Sequence, residues 1–341
     1  MIKYPDPIKI NDTFGITATS AGITKKVKLK RLELAKKYLN SLGYKTIETP
    51  NVRTNSNFVS SDAKTRAKEF MSLWKKENIS LIGLVCGGEF LMEMLPFIDE
   101  KTIKENKPKW ITGFSDSSLL NFYLTTNFNI ATATTTNILK FGMNPIHESL
   151  TKQLEILSSN NESVQESFKL YEGNKIYKNE KATTPYDLNT KVKYKNLYNK
   201  QEEIFSGRLI GGCIDVLMHI IGTPFDNTIN FCNKFKKEGL IWYLEDCELS
   251  LLELYRTLWH MKQVGWFNNA NGVIFGRTKV QKKIKDFTYE TLLHKIFDDL
   301  KIPVIYDVDF GHVAPQWTMI NGSYATFEYK NHKGKITQKL V

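Results

Sequence analysis

The chain has 341 residues, of which 41% are apolar and 24% are charged, a balance typical of globular proteins. This length predicts about two domains, and no run approaches the roughly 18 apolar residues that a membrane span requires. The net charge of +11 comes from lysines scattered along the chain. Because no nucleic-acid-binding motif accompanies them, we predict neither a nucleic-acid nor a membrane partner.

The N-terminal residues MIKYPDPIKINDTFG contain no apolar signal core and no cleavage site, which predicts a cytoplasmic protein. The four cysteines are Cys86, Cys213, Cys232 and Cys247, and none of their spacings is C-x-x-C. We therefore interpret them as reduced thiols rather than as a disulfide framework or a zinc site. The sequence predicts no metal and no cofactor.

Strands and helices alternate through residues 1–157. The predicted strands are FGITATS, KTIET, ISLIGLVC, WITGF and FNIATAT. Predicted helices between them are residues 25–42, DAKTRAKEFMSLWKKEN, FLMEMLPFI and SSLLNFYLTTN. Since alternating helices and apolar strands build a parallel sheet covered on both faces, we predict an N-terminal, Rossmann-like α/β domain that carries a parallel sheet.

The pattern changes at residues 158–206, which are polar and poorly periodic. We interpret this segment as a linker or surface flap that closes over a substrate. Residues 207–341 are predicted to form a second α/β domain, which ends in a hairpin about residues 331–334. Its predicted strands are GRLIGG, GLIWYLED, NGVIFGR and PVIYDVDF, and its predicted helices are CIDVLMHIIG, LSLLELYRTLWHMKQ and YETLLHKIFDDL.

The stretch WITGFSDSSLL places Ser115 where a predicted strand ends and a helix begins. A sharp turn at such a junction lifts a serine hydroxyl clear of the sheet, and the helix start supplies backbone N–H groups. A plain turn, in which Asp116 or Ser117 caps the helix, explains the same residues. The stretch alone leaves both interpretations open.

A nucleophilic Ser115 needs a base, and the base needs a group that orients it. His312 follows the strand PVIYDVDF in a loop of the kind that builds sites in open α/β sheets, although a surface-loop histidine fits equally. His219, within VLMHII, is expected in the packed core. The strand IWYLED ends in Glu245, the preferred orienting acid, and Asp246, the preferred cap of the next helix. These positions predict a site in the cleft between the two halves.

Two further features concern substrate and charge stabilisation. The N–H of Asp116 and the loop VCGGEF, where Gly87 and Gly88 permit close backbone approach, are expected to form an oxyanion hole. A tight turn accounts for the glycine pair as well. Arg277, at the end of VIFGR, is a candidate for binding a substrate carboxylate, and a structural ion pair is the alternative.

The motifs of this chain resemble, in order and spacing, those of the LD-carboxypeptidase family of serine peptidases, which includes the microcin C immunity proteins. They are TATSAGI, VCGGEFLMEMLPFID, ITGFSDSSLL, GRLIGGCIDVL, IWYLED, GVIFGRT and GHVAPQ. The family's Gly-aromatic-Ser-Asp turn matches Ser115, its Leu-Glu strand end matches Glu245, and its Gly-His motif matches His312. The resemblance therefore implies a Ser-His-Glu triad.

The resemblance also implies a swivelling, barrel-like C-terminal α/β domain, a homodimer and catalysis without a metal. LD-carboxypeptidases remove the terminal D-alanine from murein tetrapeptides. The immunity branch cleaves the amide that joins a peptide or amino acid to a nucleotide-like toxin. The length and the polar segment resemble the immunity branch more, which makes a small peptide or peptidyl-nucleotide the expected substrate. A non-catalytic α/β protein that binds a small ligand in the same cleft is the alternative from another class.

Some residues depart from the family pattern. Cys213 stands where relatives usually have asparagine, and Phe90 stands where they usually have a small residue. In the immunity branch an aromatic residue of the polar segment stacks on the nucleobase. This chain has no tryptophan there, so Tyr186, Tyr194 or Tyr198 would have to replace it, unless all three are ordinary surface tyrosines.

Overall fold

The computed structural model describes residues 1–173, 181–279 and 283–341. The first half alternates strands and helices in the predicted order. Its elements are β1 (Thr13–Thr17), α1 (Lys26–Ser41), β2 (Lys45–Glu48), α2 (Ala63–Trp74), β3 (Ile79–Leu84), α3 (Glu100–Glu105), β4 (Trp110–Gly113), α4 (Ser117–Phe128), β5 (Thr132–Thr134) and α5 (Glu148–Leu157). The predicted helix FLMEMLPFI forms as a 3₁₀ helix over Leu91–Phe97, in which Pro96 has no N–H to donate.

The second half contains the remaining strands and helices of the described chain. They are β6 (Ser163–Glu166), β7 (Leu170–Tyr171), β8 (Thr190–Lys191), β9 (Lys195–Asn196), β10 (Glu202–Cys213), α6 (Ile214–Leu217), α7 (Thr228–Lys234), β11 (Leu240–Glu245), α8 (Leu251–Gln263), β12 (Ala270–Gly276), β13 (Lys283–Ile284), β14 (Phe287–Thr288), α9 (Tyr289–Phe297), β15 (Val304–Val308), β16 (Met319–Asn321), β17 (Tyr324–Lys330) and β18 (Lys333–Lys339). The closing hairpin β17–β18 turns where the sequence predicts it.

The first sheet has the strand order β16-β5-β4-β3-β1-β2. Strands β1 to β5 are parallel, as predicted, and all residues of β1 and β4 are buried because helices cover both faces of the sheet. Strand β16 was not predicted. It comes from the second half of the chain and adds to the edge of β5 in antiparallel register. The first sheet is therefore completed by the C-terminal part of the sequence.

The second sheet has the order β6-β18-β17-β10-β11-β12-β15-β9. Its centre, β10-β11-β12-β15, is parallel, and antiparallel strands extend it on both sides. The α/β class is confirmed, but this sheet is open rather than barrel-like. Its edge strands β6 and β9 have four and two residues and do not pair with each other within the described chain.

The polar segment 158–206 contains more regular structure than the sequence predicts. Strands β6 and β9 join opposite edges of the second sheet, β7 pairs with β8, and β10 already begins at Glu202. Residues 174–180, in the middle of the predicted flap, lie outside the described residues. The closure of a flap over substrate stays a prediction.

Hydrogen bonds join the two sheets close to the ends of their central strands. The hydroxyl of Tyr243 on β11 contacts Thr134 on β5 at 2.9 Å and Asn321 on β16 at 2.8 Å. The hydroxyl of Ser118 on α4 accepts a 3.1 Å hydrogen bond from the N–H of Cys213 at the end of β10. These contacts hold the carboxyl ends of β4, β10 and β11 together, and the candidate site lies there. No helix in the described parts of the chain is long and apolar enough to cross a membrane.

Candidate active site

Ser115 occupies a sharp turn between β4 and α4 in a left-handed backbone conformation, with φ of 64°. A non-glycine residue in this region is strained, and the surrounding structure must hold it there. Gly87 makes room for it, because a Cβ at residue 87 would lie 2.9 Å from both Cβ and Oγ of Ser115. Neither Asp116 nor Ser117 caps α4 through its side chain. The turn therefore exposes the Ser115 side chain and does not supply a side-chain cap for α4.

His312 and Glu245 reach Ser115 from the second half of the chain. The Nε2 atom of His312 lies 3.0 Å from the Oγ of Ser115, and its Nδ1 lies 2.7 Å from Oε2 of Glu245. An ionised carboxylate only accepts hydrogen bonds, so Nδ1 carries the ring proton and donates it to Glu245. Nε2 of the neutral ring then accepts a hydrogen bond from the Ser115 hydroxyl. The three predicted residues form one hydrogen-bonded chain, and their catalytic roles stay a prediction.

Neighbouring groups raise the pKa of the His312 ring. Burial alone would lower the pKa of His312, but the Glu245 carboxylate and the Cys247 thiol outweigh burial and raise that pKa. The ring of Phe114 contacts the imidazole edge-on, with ring centroids 5.0 Å apart. The site thus stabilises the imidazolium that would form when His312 takes a proton.

The Glu245 carboxylate ends β11 and is only 3% exposed. Gly311, with φ of 94°, lets the loop that carries His312 pass directly over it, since a Cβ at 311 would lie 2.8 Å from Oε2 of Glu245. A buried carboxylate must be paired, and His312 is the partner that this loop supplies. The left-handed glycine therefore positions both members of the pair.

Asp246, the alternative acid, points elsewhere. The Thr278 hydroxyl donates to its Oδ2, and Oδ1 is buried without a hydrogen-bond partner in the described structure. Burial, followed by the nearby carboxylates of Glu245 and Asp215, raises the pKa of Asp246 to about 7. The expectation that Asp246 caps the next helix is wrong. Ser250 caps α8 in a capping box, because it lies directly before the first helical residue, Leu251, whereas Asp246 lies four residues before Ser250.

The side chain of Asp116 links the loops around Gly87 and Gly88. Its Oδ2 accepts hydrogen bonds from the Ser20 hydroxyl and, at 3.0 Å, from the N–H of Leu91. These donors come from the loop after β1 and from the 3₁₀ helix after Gly88. Burial raises the pKa of Asp116, whose carboxylate is almost fully removed from solvent. Sequence reasoning offered this residue as a helix cap or as a backbone N–H donor, and did not identify this network.

Two backbone N–H groups are available near Ser115. The carbonyl of Gly87 accepts a 3.3 Å hydrogen bond from Ala21, and in a trans peptide the next N–H points the opposite way. The N–H of Gly88 is therefore directed away from Ala21. The N–H of Asp116 begins the turn into α4, and its nitrogen lies 3.5 Å from the position of a Cβ at Gly87. This arrangement fits the predicted oxyanion hole, which remains a prediction.

Asp215 is a site residue that sequence reasoning missed. Its carboxylate accepts three backbone hydrogen bonds, from Cys247 at 3.0 Å, Glu248 at 2.8 Å and Leu249 at 3.1 Å. These bonds fix the loop that follows Glu245. The signal in the sequence was an acid in the first turn of a helix directly after GRLIGGC, but its distant partners could not be identified from spacing.

Arg277 forms the structural ion pair that was the alternative to substrate binding. It pairs with Asp309, its guanidinium lies 4.4 Å from the ring centre of Tyr171, and it is 3% exposed. It does not line the cavity that contains Ser115. The predicted core position of His219 is also wrong, because this side chain is exposed on a short 3₁₀ helix.

None of the three tyrosines proposed for base stacking lines that cavity. Tyr194 is buried and donates to Asp309, while Tyr186 packs against His147 and Tyr198 against His294. Phe90, the other departure from the family pattern, contacts Phe58 edge-on at 6.4 Å. Phe114 does line the cavity.

The cavity in front of Ser115 has a volume of about 530 Å³ and carries both signs of charge. The charged residues that line it are Lys25, Lys28, Lys279, Glu89, Asp215 and Glu248. Among the described residues, the cluster with the donor types of a metal site is Cys213, Glu245 and His312.

Known protein families and relatives match most of the chain. The family model of the LD-carboxypeptidase N-terminal domain matches residues 14–135, and that of the LD-carboxypeptidase C-terminal domain matches residues 206–327. The Microcin C7 self-immunity protein MccF of Escherichia coli is 26% identical over 98% of this chain and 96% of its own. The "Probable murein peptide carboxypeptidase" of Bacillus subtilis is 21% identical over 94% of this chain and 90% of its own.

Solved structures agree with the fold. The structure of MccF in complex with glutamyl sulfamoyl guanosine superposes with a TM-score of 0.83 at 23% identity and covers 99% of both chains. At this identity the likeness shows the fold alone. The arrangement of the two sheets is shared with that protein.

The Asp116 network generates a prediction about stability. Asp116→Ala removes the acceptor shared by Ser20 and Leu91, so a buried O–H and a buried N–H lose their partner. The free energy of unfolding in urea should fall by about 1–3 kcal/mol. Asp116→Asn keeps a carbonyl oxygen where Oδ2 lies and should lose much less. Equal losses in both variants would show that the charge, and not the acceptor, supports the network.

Proposed function

Because the chain belongs to the LD-carboxypeptidase family, we propose that it is a serine peptidase or amidase that cleaves an amide bond with a Ser-His-Glu triad. The observation that carries this proposal is the hydrogen-bonded chain from Ser115 through His312 to Glu245, with distances of 3.0 and 2.7 Å. The left-handed turn at Ser115 supports it further, because strain of this kind persists where the backbone must present a side chain.

The mechanism begins with proton transfer. His312 takes the hydroxyl proton on Nε2 as the Ser115 oxygen attacks the substrate carbonyl. Glu245 accepts the hydrogen bond from Nδ1–H and stabilises the imidazolium, which agrees with the raised pKa of His312. The N–H groups of Gly88 and Asp116 receive the negative oxygen of the tetrahedral intermediate.

Collapse of the intermediate breaks the amide bond. His312 donates the proton from Nε2 to the leaving nitrogen, and the acyl group stays on Ser115. A water molecule then loses a proton to His312 and attacks the acyl carbonyl, which releases the acid and restores the serine. Every proton is carried by one ring nitrogen, so the chain needs no metal for these steps.

The cavity supports a substrate class. Its lysines, Lys25, Lys28 and Lys279, suit an anionic group, and its carboxylates suit an amine. We propose a small peptidyl- or aminoacyl-nucleotide as substrate, as for the immunity branch of the family, and MccF is described in complex with such a ligand. A murein tetrapeptide carries the same two kinds of charge and is the second candidate, which the LD-carboxypeptidase models favour.

Cellular location and assembly complete the proposal. A cytoplasmic homodimer is expected from the resemblance to the family rather than from the geometry of the site. Sedimentation equilibrium of the purified chain should give the mass of a dimer, and the mass of a monomer would contradict the expected homodimer.

A two-substrate assay tests the proposed function. The purified chain is incubated with an aminoacyl-sulfamoyl adenosine and, separately, with murein tetrapeptide, and the released amino acid is measured. We expect hydrolysis of the first. Ser115→Ala should fold normally and lower turnover by roughly 10⁴- to 10⁶-fold, because the attacking atom is gone. Near wild-type turnover in Ser115→Ala would contradict the assignment of Ser115 as nucleophile. Cleavage of the tetrapeptide alone would favour the murein tetrapeptide as substrate.

The choice between adjacent carboxylates gives another prediction. Glu245→Gln keeps the shape of the side chain but removes the charge that supports the imidazolium. Turnover should fall by about 10²- to 10⁴-fold, less than for loss of the serine. Asp246→Asn is the matched control and should lose little, because the hydrogen bond to Nδ1 of His312 is accepted by Glu245, whereas Asp246 accepts from Thr278. If Asp246→Asn lost most of its turnover while Glu245→Gln kept near wild-type turnover, Asp246 and not Glu245 would be the orienting acid.

A further inference from the structure

Cys213 lies beside the triad in a way that the proposed mechanism does not use. It ends β10 and is the register partner of Glu245 at the end of β11. Register partners on adjacent parallel strands direct their side chains to the same face of a sheet. His312 approaches the same face from the loop after β15. One donor atom from each of the three side chains lies within 4.8 Å of the other two.

The cluster can be reached from solvent. Cys213 and His312 both line the cavity in front of Ser115, and Glu245 lies behind them. Cys247, partly exposed, lines the same cavity and interacts with the ring of His312. An ion that enters the cavity therefore meets two ligand side chains at its wall and does not have to open the core.

The donor set selects the kind of ion. A thiolate, an imidazole and a carboxylate are ligands of Zn²⁺, whereas Mg²⁺ and Ca²⁺ prefer oxygen donors alone. Zinc bonds of about 2.0–2.3 Å place tetrahedral donors roughly 3.3–3.6 Å apart. From the 4.8 Å limit of the cluster, donor atoms have to approach by at most about 1.2–1.5 Å, whereas Nδ1 of His312 and Oε2 of Glu245, now 2.7 Å apart, have to separate slightly; side-chain rotation can supply both changes. A water molecule would complete four ligands.

We propose that Cys213, Glu245 and His312 form an inhibitory Zn²⁺ site. The ion binds the Cys213 sulfur, a Glu245 oxygen and Nδ1 of His312, and the thiol proton leaves to solvent. Since Nδ1 then holds the metal, the remaining proton of the neutral ring sits on Nε2. That nitrogen can no longer accept the proton of Ser115. The two ligand charges balance the ion, so the complex is neutral at a buried position.

Binding and inhibition are separate readouts. Inhibition rests on the proposed function, whereas binding depends only on the three ligand side chains. The direct probe is Co²⁺, which replaces Zn²⁺ in such sites and gives a thiolate-to-metal absorption band when sulfur is bound. We expect one Co²⁺ per full-length chain with this band, and its loss when Zn²⁺ is added in slight excess.

Variants identify the ligands. Cys213→Ser should abolish the absorption band and weaken Co²⁺ binding by more than roughly 100-fold, since loss of even an outer-shell partner costs about 10–100-fold. Cys86→Ser is the matched control. Cys86 lines the same cavity, but its thiol contacts the carbonyl of Ala21 at 3.0 Å and is not part of the cluster. His312→Ala provides a second ligand deletion should Cys213→Ser fail to fold, as judged by thermal melting.

The outcomes separate the site from the function. Ser115→Ala should bind Co²⁺ like the wild type, because it keeps all three ligands. Zn²⁺ should inhibit hydrolysis by the wild type, and a chelator should reverse this inhibition. Hydrolysis by Cys213→Ser should resist Zn²⁺, with each protein measured against its own metal-free rate. No thiolate band in the wild type, or a band that survives in Cys213→Ser and disappears in Cys247→Ser, would overturn the site. Metal binding by a chain that hydrolyses neither substrate would overturn the proposed function instead.

Discussion

The burial of the Glu245 carboxylate is the constraint on which the candidate site depends. A carboxylate that is 3% exposed must have a partner, and the loop after β15 brings His312 to it at 2.7 Å. Once Nδ1 is committed to Glu245, the other ring nitrogen faces Ser115 with its lone pair. The geometry of the serine–histidine contact is thus a consequence of how one buried acid is paired.

The two halves of the chain share this constraint because neither can form the site alone. Strand β16 places residues of the second half at the edge of the first sheet, and Tyr243 contacts both β5 and β16. Ser118 donates to the carbonyl of Ser115 at 2.7 Å and accepts from the N–H of Cys213. The turn that presents the serine is thereby tied to strand β10, which ends beside Glu245.

The sequence predicted the parts of the fold that periodic apolar burial determines. The strands of the parallel sheet, the closing hairpin, and the placement of Ser115, Glu245 and His312 at strand ends all follow from such runs. It did not predict β16, and it allowed some strand within 158–206 without locating any. These are edge strands of two to four residues in polar stretches, and their pairing is set by distant partners. Local pattern carries no information of that kind.

The roles of polar side chains could be predicted only where a known motif indicated them. Asp116 looked like a helix cap, yet its carboxylate bridges Ser20 and Leu91, which are 96 and 25 residues away. Asp215 organises the loop after Glu245 through three N–H groups. In both residues a buried acceptor meets donors from remote loops, and only the folded chain shows which loops those are.

The account rests on Ser115 and His312 acting as one unit, and a double-variant cycle on turnover tests this most directly. Turnover is measured for Ser115→Ala, His312→Ala and the variant that carries both changes, on the substrate that the wild type cleaves. Residues of one catalytic unit are strongly non-additive, so all three variants should fall to about the same residual rate. Losses that multiply in the double variant would mean that the two side chains act independently, and would contradict the account.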